Sequence, residues 1–318
     1  MRIVIQGAGA LGSIFAAHLV RAGIDTMLLA RGARAEQLRQ SGVTITGLLD
    51  ATVEVPIETD PANIRSADLF ITTVKTYDTE SALAPLAGAE FASVLSVQNG
   101  VLKNQQLASV FGESAVLGSA ANVSGEVLAD GKVLFTQNRG LFLGELTGGL
   151  SSRAGAIATV FQNAGIETIE SDQILKVEWS KFIPWSGVMA LSVITQMETW
   201  KFCTDLHSAR FAAQMVREAV AVARALNIEV DDKGPLPAAS IASGSHEEGI
   251  ALVQQTGQRF HDQAPSHRMS TLQDLDHGKK LEVDETLGHL LNLARDQGID
   301  APASAHAYQL VKAINAFQ

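Results

Sequence analysis

Residues 1–12 read Met1-Arg2-Ile3-Val4-Ile5-Gln6-Gly7-Ala8-Gly9-Ala10-Leu11-Gly12, and the rest of the chain is organised around them. Ile3, Val4 and Ile5 form a short β-branched run that predicts a buried strand from Arg2 to Gln6. Gly7, Gly9 and Gly12 then give the spacing G-x-G-x-x-G, and residues 11–20 continue as a helix rich in Ala and Leu. The three glycines differ in what they allow. Gly7 permits the tight turn, Gly9 lets the backbone approach a pyrophosphate, and Gly12 lets helix pack on strand. The helix start adds unpaired N–H groups and the positive end of a dipole. The same letters alone describe any glycine-rich turn. A strand before them, a helix after them and a second strand over residues 26–30 decide for a dinucleotide site.

The bulk composition narrows the partners. A chain of 318 residues is long for one core, so two domains are expected. A formal net charge of −10 with no long basic run argues against nucleic acid and against an anionic membrane surface. No apolar run is long enough to span a bilayer, and the first residues enter a strand directly, so the expected location is cytoplasmic. Cys203 is the only cysteine, which excludes an intrachain disulfide and thiolate metal clusters; it reads as a packed thiol.

Residues 1–170 alternate strand and helix signals, as a parallel, doubly wound, Rossmann-like sheet requires. Helices are expected over 32–41, 79–87 and 151–165, and a strand pair over 43–57 around Gly47. Further strands are expected at 68–75, 93–97, 115–121 and 132–144, with a turn at Asp130-Gly131 and an edge strand at 167–169. Residues 171–318 carry helical periodicity, clearest over 205–226 and 286–297, and predict an all-helical domain with a ligand cleft between the two. Gly298 reads as a C-terminal helix cap, followed shortly by Pro302. Residues 231–268, with Pro235, Pro237 and Pro265, read as short helices and loops.

The tip of the second strand selects the dinucleotide. A carboxylate there takes a ribose 2′-hydroxyl, whereas a basic residue accommodates a 2′-phosphate. Here the strand runs into Arg31, with Arg34 one turn later, and points to NADP(H). Two more polar groups close strands on the side where such sheets bind ligands: Lys75, and Asn99 within Gln98-Asn99-Gly100. In the second domain, Lys181 stands at the entrance to the apolar run 182–194; facing a cleft, desolvation would favour its neutral form and make it a usable proton donor. The same lysine in water would be an ordinary helix-flank cation.

Taken together these pieces resemble the ketopantoate reductase (2-dehydropantoate 2-reductase) family over most of the chain. The resemblance rests on Gly7-Ala8-Gly9-Ala10-Leu11-Gly12, Thr73-Val74-Lys75, Asn99-Gly100 and Trp179-Ser180-Lys181. It extends to Ser270-Thr271-Leu272-Gln273-Asp274 and to Glu282-Val283-Asp284. It implies a 2-oxo acid reductase of pantothenate biosynthesis in which Lys181 protonates the ketone oxygen and Glu282 orients the substrate. It further implies that Ser270 contacts the substrate carboxylate and that Lys75 and Asn99 lie by the nicotinamide and the reacting centre. Relatives occur as monomers and dimers, so a homodimer is one expectation.

The resemblance departs at three positions. The family's two substrate-binding Asn, four and eight residues after the catalytic Lys, are here Trp185 and Met189, and Gln98 stands where many relatives have His. An indole only donates and a thioether accepts weakly, so neither replaces a carboxamide. Pro184 is expected to kink this helix and shift its register. A bulkier or more apolar carbonyl or imine substrate is therefore an alternative, and a non-catalytic NADP-sensing protein is another. A metal route is not expected: His246-Glu247-Glu248 lacks the second His of a zincin helix, and Glu282, Asp284 and Glu285 read as a solvated helix start.

Overall fold

The computed structural model describes residues 1–317 and divides into two compact units, Met1–Asn99 with Lys103–Leu175, and Gly100–Leu102 with the chain from Lys176 onward. The first unit begins with β1 (Arg2–Gln6), α1 (Ala10–Arg21), β2 (Asp25–Leu29), α2 (Gly32–Ser41), β3 (Val43–Gly47), β4 (Ala51–Val53) and β5 (Ile57–Glu58). It continues with β6 (Ser66–Thr72), α3 (Thr79–Leu83), β7 (Glu90–Ser96), α4 (Leu102–Phe111), β8 (Leu117–Val127), β9 (Val133–Glu145), α5 (Ser152–Asn163) and β10 (Thr168–Glu170).

The first five-stranded sheet has the order β5-β2-β1-β6-β7 and is parallel throughout. Ile5 lies between Leu28 on one neighbour and Ile71 on the other. Alternation along β1 sends Ile3 and Ile5 into one apolar cluster with Phe15 and Phe161, and Val4 into a second with Phe70, Leu86 and Leu107. Both faces are covered, so these strands read as continuous apolar runs.

Not all strands of residues 1–170 join that sheet, and here the single-sheet expectation is corrected. β3, β4, β8, β9 and β10 form a second five-stranded sheet. β8 and β9 are antiparallel because the turn after Leu128 is too short for a crossover; Leu128 N–H donates to the Lys132 carbonyl at 2.8 Å. Helix α1 has Gly12 through Leu19 buried without a break, since its residues share one core with strands of both sheets. That explains an Ala-rich helix with no polar stripe.

The second unit is helical. It contains α6 (Ile174–Thr195), α7 (Thr199–Thr204), α8 (Leu206–Ala225), α9 (Ala238–Ser243), α10 (His246–Gln263), α11 (Ser270–Asp276), α12 (His289–Asp296) and α13 (Pro302–Asn315). A one-turn π segment, Asp284–Gly288, leads into α12. Of the short helices and loops expected over 231–268, α9 is short and residues 231–237 and 264–268 lie outside helices, whereas α10 is an 18-residue helix opened by a capping box between Ser245 and Glu248. Cys203 is buried, and burial pushes its thiol up to about 12, as a packed thiol requires. Among the described residues no helix is long and apolar enough to cross a membrane.

Candidate active site

The turn after β1 is held from several sides. Gly7 has φ of +104°, its N–H donates to the Leu29 carbonyl at 3.0 Å, and its carbonyl accepts from Thr73 Oγ1 at 2.8 Å. A Cβ on Gly7 would lie 2.8 Å from that same Thr73 hydroxyl, and one on Gly12 would overlap the Gly7 carbonyl. Gly9 differs: a Cβ there would meet nothing within 4 Å. Gly9 is also the exposed N-cap of α1, with no side-chain cap on the N–H groups of Ala10, Leu11 and Gly12. Open space beside an uncapped helix start fits a pyrophosphate, and on that observation the residues present suit a dinucleotide.

The structure separates the two arginines at the tip of β2. Arg34 is committed to the turn: Nε donates to the Ala8 carbonyl at 3.1 Å, and Nη1 donates to the Gly131 carbonyl at 2.7 Å and to Gln37 at 2.9 Å. Arg31 is exposed, and its Nη2 lies 3.2 Å from Oδ2 of Asp78. Arg31 is the exposed one of the two, and Arg34 is half-buried.

Lys75 and Asn99 follow the ends of β6 and β7, which are neighbours in the parallel sheet. β6 stops at Thr72 rather than at Lys75; Lys75 is the half-buried N-cap of a short 3-10 turn, Thr76–Asp78. Beneath them lies a polar network that sequence reasoning missed. Gln98, 7% exposed, donates through Nε2 to the Val74 carbonyl at 2.8 Å and to Thr79 at 2.7 Å. Its Oε1 accepts from Ser96 at 2.7 Å. Lys103, also buried, donates to the Gln98 carbonyl at 3.1 Å and to the Ser119 carbonyl. The one sequence signal for this network was Gln98, next to Asn99 at the end of a strand.

In the second unit, every residue from Glu178 to Val193 is buried except Lys181, which is half-buried. Pro184 does not end α6, which stays helical from Ile174 to Thr195. The acceptor that Pro184 leaves without a helical partner is the Ser180 carbonyl. Gly234 packs against it so closely that a Cβ would overlap that oxygen and lie 2.6 Å from Pro184 Cγ. The Ser180 hydroxyl accepts from the Asp231 N–H at 2.8 Å, so a loop braces α6 beside Lys181. Trp185 and Met189 follow Lys181 by one and two turns and join the apolar core of this unit, at 8% and 1% exposure.

Ser270 is the exposed first residue of α11. Glu282 is half-buried between the fully packed Leu281 and Val283, and its carbonyl accepts from the Thr286 hydroxyl. The acidic group around it is not a solvated helix start, which corrects that expectation. Asp284 accepts from Tyr308 at 2.7 Å and from Lys312 at 2.8 Å, and burial pushes the Glu285 carboxyl upward. Asp284 and Glu285 are the first two residues of the π turn, which the Gly288 N–H closes on the Val283 carbonyl. Such insertions occur often at functional positions.

Residues 3–148 match the family described as Ketopantoate reductase PanE/ApbA, and residues 173–315 match its C-terminal domain family. The chain belongs to the ketopantoate reductase family. A ketopantoate reductase relative, the 2-dehydropantoate 2-reductase of Archaeoglobus fulgidus, is 27% identical, covering 98% of this chain and 97% of that one. The crystal structure of a PanE/ApbA family ketopantoate reductase from Ralstonia eutropha JMP134 is 28% identical, with TM-score 0.85 over 100% of this chain and 99% of that chain. The ternary structure of D-mandelate dehydrogenase with NADH and anilino(oxo)acetate has TM-score 0.84 at 20% identity, covering 100% of this chain and 99% of that one, a likeness of fold. The ketopantoate reductase family is one of nicotinamide-dependent oxidoreductases.

Proposed function

We propose that the chain is an NADPH-dependent reductase of a 2-oxo acid. The observation that carries this reading is Lys181, the single half-buried residue in the otherwise buried stretch Glu178–Val193 of a family reductase. A nicotinamide dinucleotide bound at Gly7–Gly12 supplies the hydride. Ala8, Ala10 and Leu11 present the turn's backbone to its phosphates, and Arg31 takes the 2′-phosphate. Lys75 and Asn99, at adjacent strand ends, hold the nicotinamide and the oxo acid in register. A new C–H bond forms at the carbonyl carbon while Lys181 delivers a proton from Nζ to the oxygen, where negative charge develops. Glu282 and Ser270 bind and orient the substrate.

Trp185 and Met189 favour a bulkier or more apolar oxo acid than ketopantoate. Their position in an apolar core offers no carboxamide to a substrate hydroxyl, and a site without that partner loses most of its discrimination for it. The test is NADPH oxidation with ketopantoate, pyruvate, phenylglyoxylate and phenylpyruvate, run on the wild type and on Lys181→Ala. The reading expects a loss of about 10²–10⁴-fold in kcat for Lys181→Ala with NADPH binding retained. Unchanged turnover in that variant removes Lys181 from the chemistry. No turnover by the wild type, with NADPH still bound, favours an NADP-sensing protein. Efficient reduction of ketopantoate alone rejects the apolar substrate.

A further inference from the structure

We propose that α13 is a positioning element for Glu282, acting through Tyr308, Lys312 and Asn315; the proposal rests on the reading that Glu282 binds substrate. The three side chains stand four and then three residues apart, so they share one face of the helix. They grip the chain on both sides of Glu282. Asn315 Oδ1 accepts from the Leu281 N–H at 2.8 Å, one residue before it. Tyr308 donates to Oδ1 of Asp284 at 2.7 Å and Lys312 donates to Oδ2 at 2.8 Å, two residues after it.

The far end of α13 is anchored as well. Its N-cap, Ala301, has no capping side chain, and buried Glu218 of α8 takes that role. Glu218 accepts from the Ala303 N–H at 3.0 Å and from the Ser304 N–H and hydroxyl at 2.8 Å. A carboxylate at a helix start is favoured by both the free N–H groups and the dipole. So α13 is tied to the core helix at one end and holds the Glu282 segment along its face.

The segment needs holding. Between α11 and the π turn, residues 277–283 have no regular secondary structure to satisfy or orient them. Asp284 is kept ionised against its burial by the Lys312 and Tyr308 hydrogen bonds, and Tyr308 and Lys312 are both pushed upward by their bonds to Asp284. The clamp is thus charge-assisted, and it fixes where the π turn begins. A lysine and a tyrosine on one carboxylate set both its position and its rotation.

The experiment is a double-mutant cycle on the full chain, using whichever of the four oxo acids gives the highest kcat/KM. Tyr308→Phe, Lys312→Met and Asn315→Ala are each made in the wild type and in Glu282→Gln, with thermal midpoints recorded. In the wild type each raises KM for the oxo acid by about 3–10-fold, while KM for NADPH moves less than about 2-fold. In Glu282→Gln the same changes leave KM for the oxo acid within about 2-fold, and Lys312→Arg restores the wild-type value in part. Equal effects in both backgrounds, or no effect in the wild type, overturn the positioning role. If Glu282→Gln itself changes nothing, the substrate role of Glu282 falls, and the proposal with it. Tyr308→Phe removes one oxygen only and serves as the folded variant if Lys312→Met melts.

Discussion

The Gln98 amide donates to the Val74 carbonyl at 2.8 Å, which ties the peptide before Lys75 to the residue before Asn99. The bond is part-buried and shared: Thr79 and Ser96 complete the amide. Gln98→Leu removes the amide without enlarging the cavity and takes their partner from the Val74 carbonyl and the Thr79 hydroxyl, while Ser96 Oγ keeps the Gln98 N–H. Leaving them unpaired costs about 2–4 kcal/mol. Calorimetry is expected to show the midpoint falling by about 5–10 °C, and NADPH titration a weaker Kd. An unchanged midpoint would show that water replaces the amide.

Gly9 and Gly12 separate ligand from structure. Gly12→Ala drives a Cβ into the Gly7 carbonyl and is expected to abolish soluble expression or cost several kcal/mol, about 3 or more. Gly9→Ala has open space and a φ of −73° that alanine accepts, so its midpoint without cofactor should match the wild type. What it loses is the upward shift of the midpoint on adding NADPH, because the methyl fills the pyrophosphate's place. A Gly9→Ala variant that keeps that shift would refute the assignment.

Arg31 and Asp78 bear on cofactor choice. Their pair is exposed and contributes little to stability. Arg31→Ala is expected to weaken NADPH about 10-fold or more and leave NADH nearly unchanged, since only the former carries the 2′-phosphate. Asp78→Asn removes the carboxylate that competes for the guanidinium and should tighten NADPH a few-fold, about 2–5. Equal effects on both dinucleotides, read by fluorescence titration, would move the 2′-phosphate elsewhere.

Three histidines make the fold acid-sensitive. Burial lowers the pKa of His18, His267 and His289. A base with a depressed folded pKa binds fewer protons than its unfolded counterpart, so stability is full above the unfolded value of about 6.5 and declines as pH falls below it. For His18, Nδ1 meets the Ala164 carbonyl at 2.8 Å and Nε2 is buried with no partner, so an added proton there would be unsolvated. Denaturant melts at pH 7.5, 6.5 and 5.5 should show this loss, and His18→Gln should flatten it. A slope that His18→Gln leaves intact would assign the sensitivity to the other two.

Local pattern carried much of the first unit. β1 and α2 have the ends their sequence periodicity implies, because a β-branched run and a bounded polar helix announce themselves within ten residues. α4 and α10 gave no such announcement. α4 buries Lys103 and Asn104 along with Leu107, so its inward face is not an apolar stripe. α10 contains Gly249 and Gly257, which lower helix propensity and suggested loops. Gly257 is needed for close packing, since a Cβ there would lie 2.8 Å from Cys203 and from the Thr204 backbone; one on Gly249 would meet the movable end of Arg217, at 2.9 Å. The legible signal for α10 was its capping box, Ser245 and Glu248.

By itself the amino-acid order determined the glycine turn and its helix, the change from strand to helix near residue 170, and a lysine directly before the long apolar run of a helix. Those features are set by neighbours within a turn or two. Tertiary structure alone decided that β3 and β4 leave the parallel sheet, that Arg34 serves the turn while Arg31 stays exposed, and that Asp284 is held from α13. The physical reason is the same each time: these are bonds between groups tens of residues apart, and a long-range hydrogen bond leaves no period in the chain that makes it.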